Sequence, residues 1–344
     1  MLYPLIKNFL FRIDEEVAHN LSMTALGLLT KLRVISRERN FVEDPIDLFG
    51  LEFPNRIGLA AGFDKDGSHL NALQALGFGF LEIGTVTPKP QPGNPKPRLF
   101  RFIDDEAIIN RMGFNNKGIE SLKKQLTAFK RKVILGINVG KNAATPLEYA
   151  AEDYLICLRE TYTHGDYFTL NISSPNTQGL RNLQTKEALD SLLRRITEER
   201  EELTEKTQIK KPLLVKIAPD IDTDEVKRIV DSLRKFGING VIATNTTISR
   251  PSHFSAQAQS LPGGLSGRPL REKSNAVIQT IHEHCHGNLP IIAVGGITKP
   301  EHAIEKLQLG ASLVQIYSGL IFYGPSLIKD TAREVKNHFY TLHR

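Results

Sequence analysis

The chain has 344 residues, 40% hydrophobic and 24% charged, with a formal net charge of +6. Such a composition belongs to a globular chain with ample core and excludes a disordered or fibrous one. Two distant cysteines, Cys157 and Cys285, form no disulfide framework and fit a reducing compartment. The N-terminus lacks the order of a signal peptide, and no apolar run reaches the roughly 18 residues of a spanning helix. No basic block with interleaved aromatics points to nucleic acid, and the mild basicity suits an anionic substrate or anionic lipid.

Residues 1–40 read as helix. Leu5, Phe9, Ile13 and Val17 form one apolar stripe, and Leu21, Leu28, Leu29 and Leu32 form another. Apolar residues recurring at three- and four-residue intervals share one face of a helix. Lys7, Arg12, Lys31, Arg33, Arg37 and Arg39 surround these stripes. Two placements suit the pattern: helices packed on the rest of the fold, or a helical hairpin in a membrane interface with a basic rim. His19 lies inside the apolar stretch, where a histidine is ordinarily a satisfied packing residue.

From Leu51 onward one unit recurs: a short β-branched run ending in Gly, Asn, Lys or Thr, then a longer amphipathic segment. The strand ends are RIGLAAGFDK, FGFLEIGTVTP, VILGINVGKN, YFTLNISSPN, PLLVKIAPD, GVIATNTT, IIAVGGIT and LVQIYSGLI. Helical stretches lie between them, among them Glu148 to Thr163, Ser191 to Glu205, Thr223 to Phe236 and Pro300 to Leu309. Alternating strands and helices make βαβ units, and eight in one run predict an α/β fold, a closed (β/α)8 TIM barrel. An open doubly wound sheet is the alternative. No strand is followed by G-x-G-x-x-G; GFGFLE at Gly77 carries Glu82 in the third glycine's place and enters a strand.

A barrel of this kind builds its active site at the C-terminal ends of its strands. Those ends carry Lys65, Thr85, Asn138, Asn171, Ser174, Lys216, Thr244, Asn245, Gly295-Gly296 and Tyr317-Ser318-Gly319. Capping explains one or two such residues. It does not explain Asn138 in LGINVG or Lys216 in LLVKIAPD, since burying them without partners costs several kcal/mol. A ligand rich in donors and acceptors explains both. Glycines after the seventh and eighth strands mark the loops where barrels hold phosphate on backbone N–H groups. A lysine near the N1 side of an isoalloxazine would stabilise reduced flavin, so the pattern predicts FMN; FAD would need a second pyrophosphate loop.

HEHCH, His282 to His286, satisfies the zinc-protease pattern H-E-x-x-H. Gly287-Asn288-Leu289-Pro290 ends that helix at once, which puts the motif at the N-terminal face of the barrel. A solvated helix end without a metal is the expectation.

GLAAGFDKDG, EIGTVTPKPQPGNPKPRLFR, NRMGFNN, NISSPNTQGLR, TNTT, GGLSGRPL and VGGI, in this order from about Leu2 to Gly324, resemble the dihydroorotate dehydrogenases of the membrane-associated, quinone-dependent class. The resemblance implies an FMN-bearing barrel, one FMN per subunit, that oxidises dihydroorotate to orotate for pyrimidine synthesis and passes electrons to a membrane quinone. Ser174 then matches the base that takes a proton from C5 while a hydride leaves C6 for flavin N5. The soluble class has cysteine there. Serine needs a route for its proton, and Thr177 is a candidate first relay. Substrate positions implied are Lys65, Asn110, Arg111, Met112, Gly113, Phe114, Asn171, Asn176, Asn245 and Thr246. Flavin positions implied are Ala61, Gly62, Phe63, Asp64, Lys65, Thr85, Asn138, Asn171, Lys216, Thr244, Gly267, Gly296, Tyr317 and Ser318. His19 and Arg101 match polar positions beside a quinone tunnel formed by the N-terminal helices.

The implied organisation is an extension, 1–40, on a barrel, 41–344, whose own half-reaction is independent of the extension. The implied location is peripheral, on the cytoplasmic face of the bacterial cell membrane. Two other readings stand beside this one. A related FMN barrel with a soluble acceptor would need neither the apolar residues 1–40 nor Ser174. A non-enzymatic flavin-binding or membrane-scaffold protein would need neither the base nor the four amides.

Overall fold

The computed structural model describes residues 3–342. Eight short strands close into a barrel in chain order: β1 (Ile57–Leu59), β2 (Phe80–Val86), β3 (Ile134–Val139), β4 (Tyr167–Asn171), β5 (Leu213–Ile217), β6 (Gly240–Ala243), β7 (Ile291–Val294) and β8 (Leu313–Ile316). Neighbours are parallel, and β8 pairs with β1 to complete the ring. These are the eight segments expected from the sequence. The helix expected from Ser191 runs from Lys186 to Thr207, and that from Thr223 to Lys235 begins on an Asp222–Glu225 capping box.

Successive strand residues point to opposite sides of the sheet. Outward residues such as Leu81, Ile83, Leu135 and Ile137 join the helices in one large core. Inward, Phe80, Tyr167, Leu214, Ile242, Ile292 and Leu313 fill the barrel floor. Phe53 joins them from a hairpin, Ile46–Leu48 with Leu51–Phe53, its ring 5.3 Å from that of Phe80. Glycine makes room for these rings: a Cβ on Gly58 would lie 2.3 Å from Phe80, and one on Gly136 2.1 Å from Tyr167. Two residues further along, the inward positions turn polar. Phe80 gives way to Glu82, Leu214 to Lys216 and Leu313 to Gln315, all buried. The floor is dry and apolar; the layer above it is built for chemistry.

An antiparallel sheet absent from the sequence reading joins Leu99–Phe102, Ala107–Asn110 and Gly264–Gly267. It carries Asn110 and Gly267 to the barrel mouth.

The N-terminal residues form α1 (Tyr3–Leu10) and α2 (Glu15–Lys31). The first predicted stripe therefore does not lie on one helix. The chain turns at Phe11–Asp14, where the Asp14 carboxylate accepts hydrogen bonds from the N–H groups of Glu16 and Val17 and starts α2 afresh. Leu10, Ala18 and Met23 are buried against the barrel, while Phe9, Val17, Leu21, Leu28 and Leu32 are 46–64% exposed. One face of these helices packs on the fold and another stays open. Arg37 leaves the expected basic rim, donating to the carbonyl of Phe78 and stacking on Phe41. No helix among the described residues is long and apolar enough to cross a membrane.

Candidate active site

The C-terminal ends of the strands surround an open cavity. Its deepest polar layer is a network on Glu82, which accepts from Asn138 Nδ2 (2.8 Å), Tyr167 OH (3.0 Å) and Gln315 Nε2 (2.9 Å). Asn138 in turn takes the Thr85 hydroxyl at 2.6 Å, and Asn171 Nδ2 donates to Thr85 Oγ1 at 2.8 Å. These bonds fix which way each amide faces the cavity. Lys216 rises from the same layer and is 5% exposed. Burial lowers its pKa and Glu82 opposes that shift. Among the described residues its ammonium makes no hydrogen bond, and Gln315 Oε1 likewise lacks a partner.

Ser174, in the loop after β4, is 6% exposed, its Oγ accepting from the Asn176 N–H at 3.2 Å. Asn245 Nδ2 donates to Ser173 Oγ at 3.0 Å and its Oδ1 accepts the Thr246 N–H at 2.8 Å. Asn176 Nδ2 reaches Asn110 Oδ1 at 3.1 Å. Gly264 lets the Thr246 side chain in, since a Cβ there would meet Thr246 Oγ1 at 1.9 Å. Lys65 closes the rim, donating to the Gly62 carbonyl at 2.9 Å. Burial first, then the Arg98 charge, pushes its pKa down to about 8.

Most predicted site residues meet here: Ala61, Gly62, Lys65, Thr85, Asn110, Met112, Gly113, Phe114, Asn171, Ser174, Asn176, Lys216, Thr244, Asn245, Thr246, Gly267, Gly296, Tyr317 and Ser318 line the cavity. Six do not. Asn138 lies beneath, acting through Thr85. Asp64 turns to the N–H groups of Ser68 and His69. Arg111 donates to the Pro97 carbonyl. Phe63 stands between His19 and Tyr317, ring centroids 5.2 and 5.4 Å away. Burial, with the charges of Lys65 and His69, pushes the His19 pKa down to about 4, which makes it a neutral ring at pH 7. Arg101 donates to the carbonyls of Leu10 and Ile13 and lies over the Phe11 ring at 4.4 Å. His19 and Arg101 thus belong to the joint between the N-terminal helices and the barrel.

The sequence reading missed Ser266, Leu270, Val294 and Gln315, all on the cavity wall, and gave Glu82 no role. Gln315 and Glu82 carry the signal that marked Lys216, a polar residue between apolar strand neighbours. The extension is also tied to the substrate side of the barrel by a chain of contacts. Glu16 of α2 pairs with buried Arg98 (2.8 Å), which holds the carbonyls of Pro92 and Asn94. The Asn94 side chain then donates to the Asn176 carbonyl at 3.2 Å. At the far end, His282 lies beside Gly310 and His284 bonds Asp231 at 2.8 Å. No group of three or more His, Cys, Asp or Glu side chains is placed to hold a metal among the described residues.

An unpaired ammonium, amides fixed in orientation and glycine loops after β7 and β8 suit a planar, phosphate-bearing heteroaromatic group. A Cβ on Gly296 would come within 2.4 Å of Arg271, so that loop admits no larger residue. FMN fits this donor set, and the class of protein is a cofactor-dependent α/β-barrel enzyme. The dihydroorotate dehydrogenase family model matches residues 45–339. A dihydroorotate dehydrogenase (quinone) of Thiobacillus denitrificans is 52% identical over 330 residues, 96% of this chain and 98% of the relative. One of Aeromonas salmonicida is 51% identical over 337 residues, 97% and 100% of the two chains. A crystal structure of DHODH from Eimeria tenella in complex with ferulenol superposes with a TM-score of 0.87 at 36% identity, covering 95% of this chain and 92% of that one. The chain belongs to the dihydroorotate dehydrogenase family.

Proposed function

We propose that the chain oxidises (S)-dihydroorotate to orotate with FMN as first electron acceptor and a membrane quinone as last. The observation that carries this reading is the convergence on one cavity of a buried serine hydroxyl, four asparagine amides and an unpaired lysine. When bound, FMN supplies a two-electron acceptor for the substrate hydride.

The chain's own residues do the rest. Asn110, Asn171, Asn176 and Asn245 offer donors and acceptors to a ring that alternates the two. Lys65, largely protonated at pH 7 with a pKa of about 8, offers a positive charge in the cavity that would pair with the substrate carboxylate. Ser174 Oγ takes the proton from C5. The C5–H electron pair becomes the C5=C6 double bond as the C6–H pair leaves as hydride, and the serine passes its own proton on. Thr177 is the proposed next oxygen, its Oγ1 buried with no partner among the described residues. Serine is a weak base, so a dry, preorganised site is needed to make it competent. Lys216 would supply a positive charge to offset the negative charge a bound flavin gains on reduction. The serine in place of cysteine, the quinone-linked relatives and the open apolar face of α1 and α2 support a quinone acceptor reached from the membrane surface.

The cofactor half of the proposal is tested at Lys216. A unit charge about 5 Å away at an effective dielectric of 20 is worth roughly 3 kcal/mol. For a two-electron couple that is about 70 mV. Lys216→Ala should therefore lower the flavin reduction potential by about that much and weaken FMN binding. An unchanged potential in a flavin-loaded variant would make Lys216 a structural residue.

A further inference from the structure

Arg181 closes the NISSPNTQGLR motif and does not line the cavity. It sits in the short 3-10 helix Leu180–Gln184 that ends the loop after β4. Its guanidinium reaches three loops at once. Nε donates to the carbonyl of Ser173, the residue before Ser174, at 3.2 Å. Nη2 donates to the carbonyl of Thr246, in the loop after β6, at 3.1 Å. Nη1 pairs with Asp220 Oδ2, in the loop after β5, at 3.1 Å. Asp220 is itself pinned, accepting from the Ile248 N–H at 2.9 Å, from Lys273 Nζ at 2.8 Å and from the Thr247 hydroxyl. Burial pushes its carboxyl pKa up, but these donors outweigh burial and hold it below the ordinary value. Gln184 Oε1 accepts the Ala218 N–H at 3.0 Å, a second tie from the same 3-10 helix to the end of β5.

We propose that Arg181 is a positioning residue that sets the distance between Ser174 and the substrate. The inference rests on the reading of Ser174 as the base. One planar fork locks the loop carrying Ser174 against the loop carrying Asn245 and Thr246, through backbone carbonyls next to each. Arginine is suited to this because its five N–H donors leave in fixed directions; a lysine ammonium has no such fork. Proton transfer is steeply sensitive to placement, and a 1 Å error far from the chemistry costs about 10²-fold.

The test uses full-length, flavin-loaded enzyme carrying Arg181→Lys or Arg181→Gln, with Ser174→Ala in parallel. Each is mixed anaerobically with dihydroorotate, unlabelled or deuterated at C5, and flavin reduction is followed by stopped flow. In the Arg181 variants, flavin content and reduction potential should match the parent, while maximal reduction slows about 10²-fold. The C5 isotope effect should grow, because proton removal becomes more limiting. A parental rate and isotope effect would overturn the proposal, as would a rate loss that only tracks lost flavin. If neither Arg181 variant retains flavin, Asp220→Ala carries the test, since it removes the side-chain acceptor of Nη1 and leaves the arginine in place. Slower reduction with a larger C5 isotope effect would support the clamp, and an unchanged rate would overturn it. Ser174→Ala separates the two claims. If it reduces flavin normally, the base reading fails; if it is slow while the Arg181 variants are normal, the clamp alone fails.

Discussion

Ser174→Ala should slow reduction of the bound flavin by dihydroorotate by about 10²–10⁴-fold, the usual worth of general-base catalysis, while flavin content stays intact. Ser174 is 6% exposed, and the one hydrogen bond of its hydroxyl among the described residues comes from the Asn176 N–H, so its loss opens little space and breaks no long-range tie. The network on Glu82 is anchored on β2, β3 and β8 as well as on Tyr167 of β4, and with the glycine loops after β7 and β8 it should still hold the cofactor. Stopped-flow reduction in the loaded variant is the measurement, and a rate near the parental one would remove Ser174 from the role. Ser174→Cys should keep part of the activity with a pH optimum moved downward, because a thiol ionises more readily than a hydroxyl.

The second large effect concerns the outer face of α2. Leu21 and Leu28 are 46% and 57% exposed, and the Leu21→Glu/Leu28→Glu double variant should destroy the surface offered to a membrane. Fully burying a leucine is worth roughly 1.5–3 kcal/mol, so losing two should weaken membrane partition by about 10²–10⁴-fold. Turnover with a long-chain quinone in vesicles should fall in step, while a small soluble dye is still reduced at the parental rate. Parental turnover with long-chain quinone would leave these helices as packing elements. Deleting residues 1–40 is a poorer test, although the sequence alone recommends it. Removing Glu16 would strand the buried Arg98 guanidinium, and breaking such a pair costs about 3–5 kcal/mol. Because Arg98 also holds the turn that positions Asn94 and through it Asn176, deletion would disturb the substrate side as well.

The barrel was legible because its strands are β-branched runs with helical repeats between them, a pattern set by local sequence. Lys216 was legible for a related reason: a cation flanked by apolar strand residues needs an explanation, and burial beside Glu82 supplies half of it. Glu82 and Gln315 offered the same signal. Glu82 drew notice only for spoiling a glycine motif, although three donors converge on it. The sheet over the mouth escaped notice because GLSG has glycines where strands favour β-branched residues, and its partners are distant in sequence. The break between α1 and α2 had a visible mark, Asp14 before two acidic residues, which is a helix start that an unbroken apolar stripe concealed. Arg181 illustrates a limit of another kind. Its motif was conspicuous, but its bonds to the loops after β5 and β6 depend on the closed barrel.

The most direct test of the whole account is an anaerobic titration of the purified, flavin-loaded protein with dihydroorotate, recording the visible spectrum and the orotate released. The oxidised flavin band should bleach with one orotate formed per flavin, and adding a quinone should restore it. A band that dihydroorotate leaves unchanged would contradict the account at its centre.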